Sequence, residues 1–138
     1  LNYLIDTNVI SETRRKKADE GVMEFIHSQP SAALFISVLT IGELKKGVDI
    51  ATRLNPAEAI ILNQWFSWVK STYQDRFIEI NHEVAEIWGQ LSAIRTLPMV
   101  DGFLAATAIA QNMTLVTRNV RDFTGLNISL LNPWKSTN

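Results

Sequence analysis

Apolar positions along the chain fall into two rhythms. Short, mostly apolar runs have the length and the β-branched content of buried strands: Tyr3-Leu4-Ile5, Leu34-Phe35-Ile36-Ser37-Val38, Phe77-Ile78-Glu79-Ile80 and Leu115-Val116-Thr117. Ile128-Ser129-Leu130 is a weaker fifth. Between these runs, apolar residues recur every three or four positions, as on one face of a helix. Val22, Phe25 and Ile26 do so within Glu20 to Ser28. Ile61, Trp65, Trp68 and Val69 do so after Pro56, which suits a first helical turn. Val84, Ile87, Trp88 and Leu91 do so before Pro98, which breaks the pattern. A short helix begins over Asn8 to Glu12. Thr40-Ile41-Gly42-Glu43 has the form of a capping box and predicts a helix from Thr40 towards Ile50. Phe103 to Ala110 is alanine-rich and can pack closely.

Strands that alternate with helical stretches of this length imply parallel βαβ units. Strands that are apolar on both faces require helices on both sides of the sheet. The expected fold is therefore α/β, a three-layer α/β/α sandwich around a central, mainly parallel sheet. No repeat, linker or low-complexity stretch divides it, so a single domain over residues 1–138 is expected. In such open sheets ligands bind beyond the carboxyl ends of the strands, near a switch in strand order.

Composition removes several alternatives. Of 138 residues, 46% are hydrophobic and 20% charged, enough apolar material for a core without disulfides or structural metal. With no cysteine, Cys-ligated zinc and thiol nucleophiles are excluded. No apolar run approaches the ~20 residues of a membrane span. The opening Leu1 to Asp6 has no basic start, and its apolar stretch ends at a carboxylate, unlike a signal peptide. A cytoplasmic protein without a membrane partner is expected. Basic residues number 13 and acidic 14, a net charge of −1, which speaks against a nucleic-acid coat protein but leaves room for local contact with RNA or DNA. The cations cluster as Arg14 to Lys17, as Lys45 and Lys46 with Arg53, and as Arg118 with Arg121. Taken singly, such runs are ordinary solvated faces.

Three acids stand at equivalent places along the pattern. Asp6 follows the first strand, Glu43 opens the helix after the second, and Asp101 opens the helix after Pro98. Each alone reads as a helix cap. Together, at one sheet edge and without arginine nearby in sequence, they would repel one another. A hard divalent cation removes that repulsion. Oxygen-only ligands favour Mg²⁺, with Mn²⁺ possible, over Zn²⁺. Such a site suits metal-assisted hydrolysis of a phosphodiester.

At this point the chain resembles a known family. Leu4 to Glu12 is similar to the opening motif of PIN-domain nucleases. Ile36 to Leu44 is similar to the second, Asp101 to Ala108 to the third, and Leu115 to Phe123 to the fourth. Leu131-Asn132-Pro133-Trp134 resembles the ending of the VapC and FitB-like branch. The resemblance implies a Mg²⁺-dependent endoribonuclease, the toxin of a type II toxin–antitoxin pair. It implies a VapB- or FitA-like antitoxin, operator DNA held only through that antitoxin, and a toxin homodimer. Carried over by position, Asp6, Glu43 and Asp101 would hold the metal, and Thr117 would be the hydroxyl beside them. Asn119 stands where many relatives have a fourth acid. Asp122, three residues on, would supply the missing charge.

The expected chemistry is in-line attack of water on phosphorus, leaving a 3′-hydroxyl and a 5′-phosphate. Asn8, Thr117 and Asn119 would orient water and phosphate. Arg14, Arg15, Lys45, Lys46 and Arg118 would contact the RNA backbone. His27 and His82 lie outside the motifs, Ser11 and Ser37 read as cap or packing residues, and Trp65 and Trp68 as core. A haloacid dehalogenase phosphatase would want an acid at Asn8, and a dinucleotide site would want glycines at Asp6-Thr7-Asn8. The remaining alternative is a catalytically weak PIN-like module that acts with its partner on DNA.

Overall fold

The computed structural model describes residues 1–135; the last residues of the expected domain, 136–138, lie outside the described residues. The elements follow one another as β1 (Tyr3–Ile5), α1 (Thr7–Glu12), α2 (Glu20–Ser28), β2 (Leu34–Ser37), α3 (Val38–Leu54), α4 (Pro56–Thr72), β3 (Phe77–Ile78), α5 (His82–Ile94), α6 (Met99–Ala110), β4 (Thr114–Val116) and β5 (Leu130–Leu131). A 3₁₀ turn spans Val120–Phe123. The sheet runs β3-β2-β1-β4-β5 and every pairing is parallel. From β1 the chain builds outward through β2 and β3, then returns to place β4 on the other side of β1. The switch in strand order therefore lies between the carboxyl ends of β1 and β4, where Asp6 and Thr117 follow directly.

Alternation along each strand feeds two cores. Tyr3 and Ile5, Leu34 and Ile36, and Val116 face a cluster with Val22, Leu44, Val48, Phe66 and Val69 from α2, α3 and α4. Leu4 and Leu115 face the other, with Val84 and Leu91 of α5 and Leu104, Ala105 and Ala108 of α6. The small side chains of α6 let it lie close to the sheet, as its composition predicts. Among the described residues no single helix is long and apolar enough to cross a membrane.

Two local expectations need correction. The capping box at Thr40 does not form. Ser37, at the end of β2, already caps the helix, its hydroxyl accepting from the Leu39 N–H at 3.0 Å. The helix thus starts at Val38, Thr40 is fully buried, and Glu43 sits in the second turn. On α4 the inward face is Ala59, Phe66 and Val69; Ile61 and Trp68 are exposed (69% and 55%), and Trp65 is half-buried. The apolar stripe was wider than the face that packs, so Trp68 is not a core residue.

The carboxyl-terminal segment closes on α2. Trp134 is buried against the first core, and the Lys135 N–H donates to Asp19 Oδ1 at 3.0 Å. A Cβ on Gly21 would lie 2.3 Å from the Pro133 carbonyl oxygen and 2.6 Å from Lys135 N. Both are backbone atoms that cannot swing aside. Gly21→Ala is expected to cost about 1–3 kcal/mol, as overpacking does. A urea midpoint equal to wild type would show that the segment does not pack there.

Candidate active site

Asp6 is the residue at which β1 becomes α1. Its backbone is extended, its N–H donates to the Val116 carbonyl of β4, and its side chain caps α1, with Oδ1 accepting from the Thr7 N–H at 2.6 Å. The other oxygen accepts from Thr117 Oγ1 at 2.7 Å, and that hydroxyl in turn accepts from the Asn119 N–H at 3.1 Å. Asp6 and Thr117 are both buried. On the opposite side, Thr7 Oγ1 donates to Glu43 Oε1 at 2.5 Å and lies 3.1 Å from Thr40 Oγ1. A short chain of contacts thus joins the ends of β1 and β4 to the second turn of α3. Asp101 stands in the first turn of α6, and Asp122 in the 3₁₀ turn after β4.

The acids sense one another. Burial pushes the Asp6 carboxyl up to about 6; the charges of Asp101 and Glu43 add to the rise, and the bonds from Thr117 and Thr7 oppose it. Burial also raises Asp101, helped by Asp122 and then Glu43. Four carboxyls therefore share one edge of the sheet, none of them in an ion pair among the described residues.

Among the described residues no group of three or more acidic or histidine side chains is set closely enough to hold an ion by itself. The donor set is nonetheless one of hard oxygens whose mutual repulsion a cation relieves. It fits Mg²⁺, which keeps several waters and needs only one or two direct carboxylates.

Thr117→Val removes the one side-chain donor to Asp6 among the described residues, at nearly constant volume. The Asp6 titration, followed by carboxyl ¹³C resonance without divalent ions, is expected to move above its wild-type midpoint near 6. A downward move would contradict the assigned bond.

Comparison with known proteins places this arrangement. The model of the PIN domain matches residues 3–126. The chain belongs to the PIN domain family. It is similar to the toxin FitB of Neisseria gonorrhoeae (strain ATCC 700825 / FA 1090), 29% identical over 137 residues, with 95% of this chain and 97% of that protein covered. It is also similar to the VapC ribonuclease Y4jK of Sinorhizobium fredii (strain NBRC 101917 / NGR234), 27% identical with 96% and 97% covered. The solved structure of FitAB bound to an IR36 DNA fragment contains a chain that superposes with a TM-score of 0.87 at 27% identity, with 99% of this chain and 98% of that one covered.

The expected substrate contacts of this PIN domain are dispersed. Asn8 and Arg118 meet at the site, the Arg118 backbone N–H donating to Asn8 Oδ1 at 3.4 Å. Arg14 instead lies over the Trp65 ring, 5.9 Å from its centroid, and Arg15 pairs with the buried Glu12 at 3.2 Å. Lys45 pairs with Asp49 at 2.9 Å, and Lys46 is exposed on α3. Asn119 is exposed. His27 and His82 are exposed on α2 and α5, and Ser37 is the helix cap already described.

Two residues of the contact chain escape the sequence reading, Thr7 and Thr40. The capping-box pattern assigns Thr40 to a cap, although Thr40 and Glu43, three apart, share a face of α3. Thr7 follows an acid that must leave a strand, and its hydroxyl is the nearest donor to the next acid.

Proposed function

We propose that this PIN domain is a Mg²⁺-dependent endoribonuclease, the toxin of a toxin–antitoxin pair, acting as a single domain over 1–138. The observation that carries the reading is the set of acids at the switch point, unpaired among the described residues, with Asp6 buried among them. Asp6 and Asp101 would hold Mg²⁺, or Mn²⁺, with Glu43 directly or through water and Asp122 as the fourth charge. When bound, the ion would neutralise the acids and the phosphate and supply a more acidic water.

The chain's own residues do the rest. Thr117 and the Thr7 N–H fix the rotamer of Asp6. Thr7 holds Glu43 towards it. Asn119 offers an amide to water or phosphate, and Asn8 steadies the loop that carries Arg118. A cognate VapB- or FitA-like antitoxin is the partner, and operator DNA is reached only through it, in keeping with the DNA-bound FitAB structure. A homodimer in the cytoplasm completes the proposal.

The test is incubation of the purified protein with RNA in Mg²⁺, then in EDTA. Cleavage that disappears in EDTA supports the reading. No cleavage of any RNA, together with tight DNA binding once the antitoxin is added, supports the weak binding module instead. Asn119 at the fourth position favours that second reading.

A further inference from the structure

Two cations stand beside the acids without neutralising them. Arg118 and Arg121 follow β4 on the same sheet edge as Asp6, yet neither forms an ion pair among the described residues. Arg118 is held elsewhere. Its guanidinium lies over the buried Trp134 ring, 4.9 Å from the centroid, and its backbone is tied to Asn8. The Trp134 backbone N–H donates to Asn132 Oδ1 at 3.0 Å. That bond fixes which end of the Asn132 amide faces the chain. It leaves the two Nδ2 donors without a partner among the described residues. Arg118, Arg121 and Asn132 line one cleft of about 370 Å³ with Asn119, Val120 and Asp122.

The lining is rich in donors and has one acid, so it suits a ligand made of acceptors. Phosphate oxygens suit the guanidiniums. The bond to the Trp134 backbone turns the Asn132 oxygen towards the chain, and a base edge bearing only acceptors suits the two Nδ2 donors that remain. Guanine presents such an edge through O6 and N7, whereas adenine pairs an acceptor with a donor. We propose that this cleft receives the nucleotide beside the scissile phosphate of single-stranded RNA, with Arg118 and Arg121 on its phosphate and Asn132 selecting guanine. The proposal rests on the ribonuclease reading above.

It is tested by fluorescence anisotropy of labelled single-stranded RNA in EDTA, which reads binding without cleavage. Arg118→Met and Arg121→Met are each expected to weaken binding roughly tenfold and to flatten the salt dependence by about 0.7 in logarithmic slope, one phosphate contact. Arg53→Met, near the far end of α3 and about 15 Å along that helix from Glu43, removes the same charge and is expected to bind as wild type. Between RNAs that differ by one guanine-to-adenine change, wild type is expected to favour guanine about tenfold, and Asn132→Asp to lose that preference. Circular dichroism of each variant checks the fold. Affinity and salt slope unchanged in both arginine variants, or a base preference unchanged in Asn132→Asp, would overturn the subsite. Wild type that binds RNA in this way but does not cut it with Mg²⁺ would overturn the nuclease reading and leave the cleft as a guanine-selective RNA-binding site.

Discussion

Asp101→Asn is expected to abolish RNA cleavage and leave the protein at least as stable as wild type. Loss of an outer partner of a metal site costs 10–100-fold, so loss of a carboxylate assigned to the ion itself should exceed about 100-fold. Stability should move the other way, because burial raises the Asp101 carboxyl and the charges of Asp122 and Glu43 add to the rise. The same logic is stronger at Asp6. Its carboxyl ionises near 3.8 in the unfolded chain and near 6 in the folded one. The folded state therefore binds the proton more tightly and loses relative stability as pH rises from about 4 to 6. Above that window the penalty is complete, about 3 kcal/mol for roughly two pH units. Asp6→Asn escapes it but meets the Thr117 hydroxyl with an amide, so a net gain of about 2 kcal/mol at pH 8 is expected, fading as pH falls from about 6 to 4. Urea unfolding and cleavage assays on the same preparations check both halves. A variant that is inactive because it is unfolded would refute the assignment.

A second large effect concerns the wild-type protein. In EDTA its unfolding temperature should fall between pH 5 and pH 8 by several degrees relative to Asp6→Asn, at the few degrees per kcal/mol typical of this chain length. Adding Mg²⁺ should restore the loss at pH 8 and do little at pH 5, where protonated Asp6 offers the ion no charge. A Mg²⁺ effect equal at both pH values would mean that the ion binds away from Asp6.

The architecture was legible because it rests on periodicity. The four stronger apolar runs became strands within a residue or two, and the fifth, Ile128 to Leu130, slid to Leu130–Leu131. Parallel pairing followed from the helices between them. What the pattern could not give was competition between neighbours. Ser37 and Thr40 could each cap α3, and only the end of β2 decides for Ser37. Ile61, Trp65 and Trp68 are apolar at helical spacing, yet α4 buries a narrower stripe through Phe66 and Val69. At the site, the order of acids was legible, and so was Thr117 beside Asp6. The link from Thr7 to Glu43 was not, since it joins residues 36 apart in sequence. Arg14, Arg15 and Lys45 looked like RNA contacts as a class, but charge runs do not reveal that Trp65, Glu12 and Asp49 engage them first.

Whether separate acidic side chains enclose one hard cation at the ends of β1 and β4 is decided by anomalous scattering from crystals soaked in Mn²⁺. A single strong peak is expected within coordination reach, directly or through water, of Asp6, Glu43 and Asp101, and no such peak in Asp6→Asn. A peak elsewhere on the surface, or one that persists unchanged in Asp6→Asn, would contradict that arrangement.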